Sequence, residues 1–115
     1  MRFSRTVVLL LVIGVSGCKN LTDLRSKDPD LTLTSSKPPQ EVAECLLFGW
    51  QSQKLLDGST INTFIQPYPG GKTVYTENYT AAADIVKYDA GSQVRLYLRS
   101  WYIRDTFGKI AKTCI

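Results

Sequence analysis

The sequence predicts an α+β fold: an N-terminal helix, a three- to four-stranded antiparallel sheet and a short C-terminal helix. Three observations lead there. Apolar residues recur at three- and four-residue spacing over 42–50 and again over 107–114. They alternate with polar residues along 93–98. Between these segments, Gly- and Pro-bearing turn signals fall at 58, 68–71 and 89–92.

The first helix opens at Pro38-Pro39, since proline suits a first helical turn. Glu41 and Glu44 lie near its positive end. Val42, Cys45, Leu46 and Gly49 form one apolar stripe, Trp50 adds bulk, and the helix should end between Lys54 and Asp57 with Gly58 as terminator. "STINTFIQ" (59–66) follows as a β-branched and aromatic strand, "YPGG" (68–71) turns the chain, and "KTVYTENY" (72–79) returns. "TAAADIVKY" (80–88) is a third strand, weakened by its alanines, and "DAGS" (89–92) is the next turn. "QVRLYLRSWYI" (93–103) is the clearest strand. Val94, Leu96 and Leu98 face the core, while Arg95, Tyr97, Arg99 and Trp101 face the other way. In "RDTFGKIAKTCI" (104–115) Phe107, Ile110, Ala111 and Cys114 return to helical spacing. A short helix capped by Asp105 or Thr106 is expected there rather than a last strand.

At 115 residues, 43% hydrophobic and 21% charged, the chain makes one small domain at most. So small a core benefits from an added stabilising device. Histidine is absent, which removes the usual general base and the usual zinc ligand, and no metal or cofactor is expected. The net charge of +4 falls to +2 once Arg2 and Arg5 of the leader are set aside. That excess is too small to imply a nucleic-acid partner.

Residues 1–17 read as a signal peptide. Arg2 and Arg5 make a positive n-region, Val7 to Ile13 an apolar h-region, and Val15-Ser16-Gly17 a small-residue c-region before Cys18. The apolar run is far shorter than the ~20 residues that span a bilayer. Val15-Ser16-Gly17-Cys18 resembles the lipobox of bacterial lipoprotein signal peptides; the other reading is a plain secretory signal that happens to contain a cysteine. The resemblance implies that Cys18 receives a diacylglycerol thioether, becomes the first residue and is acylated on its amine. Several acyl chains anchor stably where one does not. Lys19, rather than Asp, follows the cysteine, which in that family favours the outer membrane, facing the periplasm. From 18 to 37 Asp, Ser, Thr, Lys and Pro dominate, as in a flexible tether. Twenty such residues span roughly 25 Å. Alternatively, "LTLT" at 31–34 pairs as an edge strand. The compact domain is expected over 38–115.

With Cys18 lipidated, as the resemblance implies, Cys45 and Cys114 remain as a pair in an oxidising compartment. Each lies on the apolar stripe of its helix, so the two helices are expected to cross on one face of the sheet, joined by a disulfide. Closing a loop of that size is worth about 4 kcal/mol in the chain-entropy model. The spacing is unlike C-x-x-C, and buried structural cysteines are inert.

No catalytic constellation stands out. Without histidine a Ser–Lys dyad is the common nucleophilic option, and "SSK" at 35–37 lies in the tether. Glu41 and Glu44 support the first turn of their helix, and Glu77, Asp84 and Asp89 lie near turns without a sign of desolvation. "PGGK" lacks the rest of a P-loop. One feature remains: Arg95, Tyr97, Arg99 and Trp101, followed by Arg104, Lys109 and Lys112. Such a basic–aromatic surface suits an anionic glycan or an envelope protein. The plainer reading is that Arg stems and Tyr or Trp rings cover the outer sheet face, or that the last helix packs there and buries Trp101.

In layout the chain resembles the small lipoproteins of Gram-negative bacteria and their prophages. The expectation is therefore a non-catalytic, membrane-anchored lipoprotein that binds through 95–112. The alternative is a protective or exclusion factor that blocks a toxin, a hydrolase or a phage receptor.

Overall fold

The computed structural model describes residues 20–115. The leader, the lipobox and Cys18 lie outside the described residues. The fold is α+β. In chain order it comprises α1 (Leu21–Arg25), β1 (Leu31–Ser35), α2 (Pro39–Ser52), β2 (Thr63–Tyr68), β3 (Gly71–Thr76), β4 (Ala81–Tyr88), β5 (Gly91–Leu98) and α3 (Trp101–Thr113).

The sheet has five strands rather than three or four, ordered β1-β5-β4-β3-β2 and antiparallel throughout. β2 to β5 form a meander. The β2–β3 turn uses Gly70 at φ 79°, a conformation that L side chains avoid. The fifth strand is "LTLT", which adds to the free edge of β5. Its period-two pattern explains why: Leu31 and Leu33 turn inward onto the core while Thr32 and Thr34 point away.

Two adjacent rows define the two faces. Ile65, Val74, Ala83, Leu96 and Leu31 are paired in turn across all five strands. This row faces α2 and α3, and between the layers lie Val42, Leu46, Trp50, Ile103 and Phe107, all buried. Trp50 packs its ring 5.4 Å from that of Phe107, and its indole N–H donates to the Phe107 carbonyl at 3.1 Å. A buried Trp thus keeps its one polar group satisfied. The alanines that weaken β4 by propensity lie under the helices at positions 81 and 83, where small side chains let the layers close.

α2 follows the expected stripe but stops at Ser52, short of Gly58. Past Trp50 the stripe positions of a continuing helix would hold Gln53, Lys54 and Asp57, and Asp57-Gly58-Ser59 forms its own turn. The Asp57 carboxylate accepts from the Ser59 amide and hydroxyl at 3.0 and 2.6 Å. α3 begins earlier than expected: Ser100 is its N-cap, its hydroxyl accepting from the Ile103 amide at 3.1 Å. Neither Asp105 nor Thr106 caps it, and β5 ends at Leu98. α2 and α3 cross on the same sheet face, where Cys45 and Cys114 form a disulfide with Cα atoms 5.6 Å apart. Gly49 lets the helices approach closely, since a Cβ there would overlap the Ile110 side chain.

The stretch expected as a flexible tether is folded from Asn20 onward. Asn20 caps α1 in a reciprocal box: its side chain accepts from the Asp23 amide at 3.2 Å, and Asp23 accepts from the Asn20 amide at 3.3 Å. Leu21 and Leu24 share one side of the turn and bury against Ala82 and Tyr97, on the sheet face opposite α2 and α3. Asp30 then ties the segment to β5, its amide donating to the Leu96 carbonyl at 2.7 Å and its carboxylate accepting from the Leu98 amide at 2.6 Å.

Candidate functional site

The outer face of the sheet carries the row Gln66, Thr73, Asp84, Arg95 and Thr32, one pair along from the core row. Asp84 sits mid-strand in β4 and is only 1% exposed, so it is neither near a turn nor solvated, contrary to expectation. A buried carboxylate needs a partner, and the partner comes from α1. Arg25 approaches it with two nitrogens, Nε to Oδ2 at 2.8 Å and Nη2 to Oδ1 at 2.7 Å. Thr73 donates its hydroxyl to Oδ1 at 2.7 Å and accepts from Arg25 Nη2 at 2.9 Å. The guanidinium also lies 4.6 Å from the centre of the Tyr68 ring. Its bond to Asp84 holds the Arg25 proton even more firmly than usual, against the opposing effect of burial. With both oxygens so engaged, the Asp84 carboxylate ties α1 to the middle of the sheet through charge-assisted bonds.

The expected basic–aromatic surface is divided. Arg95 and Tyr97 do share the outer face of β5. Tyr97 is covered by the cluster of Leu21 and Leu24; burial first, and the nearby Asp84 charge second, push its phenol pKa up. Arg95 is half-buried, and among the described residues its Nε has no hydrogen-bond partner and its guanidinium no salt bridge. Arg99 lies past the strand end, where its amide donates to the Thr80 carbonyl at 2.9 Å and its side chain is exposed. Trp101 does not belong to the outer face at all. It is the first residue of α3, 69% exposed, and lines a different groove with Leu56 and Tyr102. α3 packs on the core face, so it neither covers Arg95 nor buries Trp101.

What the structure brings together is Tyr97, Arg99 and Arg104. They line one cleft of about 370 Å3 between α1, β5 and α3, joined there by Lys27 and Asp28. Asp30 also borders it; its second carboxylate oxygen lies 3.9 Å from Arg104, a loose pair. Lys109 and Lys112 lie just beyond, on a smaller cleft of about 190 Å3 that shares Asp30, Leu98 and Arg104. Lys109 is paired with Asp105 along its helix at 3.3 Å. The result is a charged rim in which Lys27, Arg99, Arg104, Lys109 and Lys112 outnumber Asp28, Asp30 and Asp105, with Tyr97 lining the larger cleft. Lys27 was missed in the sequence because it fell in the supposed tether. Its signal was the Asn20–Asp23 capping pattern with leucines three apart, a one-turn amphipathic motif.

Among the described residues no group of His, Cys, Asp or Glu is arranged to hold a metal ion, and no helix is long and apolar enough to cross a membrane. No protein-family model, curated protein or solved structure matches the chain.

Proposed function

We propose that this chain is a non-catalytic lipoprotein of the cell envelope, anchored through Cys18, that holds an acidic partner in the cleft formed by Lys27, Tyr97, Arg99 and Arg104. The outer membrane, facing the periplasm, is the location favoured by Lys19. The observation that carries the reading is the convergence of three cations, from the loop after α1, the β5–α3 junction and α3, on one cleft that Tyr97 also lines, against two carboxylates, Asp28 and Asp30. Arginine forks suit carboxylates and phosphates, and the tyrosine ring supplies an apolar platform for a peptide or sugar. Asp30 is occupied in tying down β5, so its charge is partly spent inside the fold. An acidic protein segment or an anionic glycan of the envelope fits such a site.

The test is crosslinking of the lipidated protein in intact envelopes, followed by mass spectrometry of what it holds. Charge reversal at Arg99 and Arg104 together should abolish capture, because both side chains are largely solvent-exposed and neither is needed for the core. Capture undiminished in the double variant would refute the cleft as the binding surface. A toxin or hydrolase among the captured proteins would turn the same surface into the exclusion device named above.

A further inference from the structure

The first described helix lies close in sequence to the expected anchor. Only Lys19 and Asn20 separate Cys18 from Leu21, the first residue of α1. Three residue steps extend about 10 Å at most. A chain lipidated at Cys18 therefore hangs on no long tether. Leu21 then lies within that distance of the lipid headgroups, and the groups packed around it are among the parts of the domain nearest the membrane.

Arg25, at the C-terminal end of α1, reaches Asp84 and Thr73 in the middle of the sheet. Leu21 and Leu24 instead pack with Ala82, Tyr97 and Tyr79, toward the end of the sheet formed by the β3–β4 turn and the β5–α3 junction. Asn78 and Thr80, which flank Tyr79 in that turn, line a groove of about 510 Å3 with Leu56, Ile61, Trp101 and Tyr102. Trp101 is 69% and Leu56 78% exposed, the two most exposed large apolar side chains among the described residues. So the turn against which α1 packs also borders the groove that displays the two most exposed large apolar side chains.

From this placement we infer that the Leu56–Trp101 groove seats on the lipid surface itself, with Trp101 entering the headgroup–acyl boundary. The inference rests on the reading of Cys18 as the lipid anchor. A tryptophan suits this position, because its ring prefers the boundary between water and hydrocarbon while its N–H stays hydrated. Leu56, at the tip of the turn that follows α2, enters beside it. The anchor supplies proximity, and the groove fixes which way the domain faces.

The molecule carries its own probe. It has two tryptophans; Trp50 is fully buried against Phe107, so a change in tryptophan emission on binding reports Trp101. The experiment uses the full-length chain, expressed with its leader in a Gram-negative host. The lipidated product is reconstituted into phosphatidylethanolamine–phosphatidylglycerol vesicles with brominated acyl chains. Subtracting the emission of Trp101→Phe isolates the signal of Trp101. The expected result is a blue shift, quenching by the bromolipid and loss of quenching by aqueous iodide, with Leu56→Glu restoring iodide access while the protein still floats with the vesicles. A protein that floats while Trp101 stays open to iodide overturns the seat and leaves the anchor intact. Shielding from iodide without bromolipid quenching also overturns it, and assigns the groove to a second copy or another protein. A chain that does not float overturns the anchor reading and the seat together.

Discussion

Removing Arg25 should destabilise the whole domain, although it sits in a five-residue helix at the margin of the fold. The perturbation is Arg25→Ala. It takes away two charge-assisted bonds to Asp84 at 2.7 and 2.8 Å, a bond to Thr73 at 2.9 Å and the stacking of the guanidinium on Tyr68. What remains is a carboxylate that is 1% exposed and holds a single partner, the Thr73 hydroxyl. Breaking a buried ion pair by deleting one partner costs about 3–5 kcal/mol. The Arg25 side chain is itself one-quarter exposed, so water can reach part of the vacated space, and the lower figure of about 3 kcal/mol applies. Asp84→Asn should cost less, about 1 kcal/mol, since Arg25 can turn to solvent and keeps an amide oxygen as acceptor. The double variant should lose less than the sum of the two, because once the charge at position 84 is gone Arg25 has little left to satisfy. The assay is urea unfolding of the leaderless chain with its disulfide oxidised. An Arg25→Ala cost below about 1 kcal/mol, the value of an exposed pair, would refute the reasoning and mean that α1 is not firmly docked.

Further outcomes follow from the same geometry. Reducing Cys45–Cys114 frees a loop of 69 residues and should lower stability by about 4 kcal/mol, visible as a melting temperature lower by many degrees in calorimetry. Gly49→Val should cost about 1–3 kcal/mol by forcing α2 from Ile110, whereas the same change at the exposed turn residue Gly58 acts only through its positive φ of 83°. Tyr97 favours its neutral phenol more strongly folded than unfolded. Its contribution to stability is complete below the ordinary tyrosine value of 10.0 and is lost as pH rises from there through the raised folded value. Tyr97→Phe should therefore flatten the alkaline fall in stability measured by denaturant titration at successive pH values; an unchanged slope would show that Tyr97 does not titrate in that window.

The helices and the meander were legible because each signal was local. Val42, Leu46 and Trp50 fall on one helical stripe, Val94, Leu96 and Leu98 on one strand face, and the turn residues stand between them. The pairing of Cys45 with Cys114 was legible through the lipobox resemblance, which sets Cys18 aside, together with the place of each on the apolar stripe of its helix. What escaped the sequence was segment 20–30, while "LTLT" at 31–34 was legible as an edge strand only as the alternative to a tether. Hydrophobic residues are few in 20–30, and the order of both stretches comes from contacts far along the chain: Leu31 with Leu96, Asp30 with Leu98, Arg25 with Asp84. Composition reports none of these. Asp84 carried a hint, a lone charge amid "AAADIV", which asks for a countercharge if that strand is central. The basic surface was half legible. Alternation placed Arg95 and Tyr97 correctly, but Ser100 ended the strand by capping α3 and sent Trp101 elsewhere. Only the fold could bring Arg99, Arg104 and Lys27 to one cleft.

The claim on which anchor, location and membrane seat all depend is the modification of Cys18. It is tested most directly by mass spectrometry of the mature protein extracted from membranes. The expected product is a chain starting at Cys18, with a diacylglyceryl thioether on its sulfur and an acyl chain on its amine, both lost in Cys18→Ser. A mature chain that starts elsewhere, or that carries a free thiol at Cys18, would contradict it.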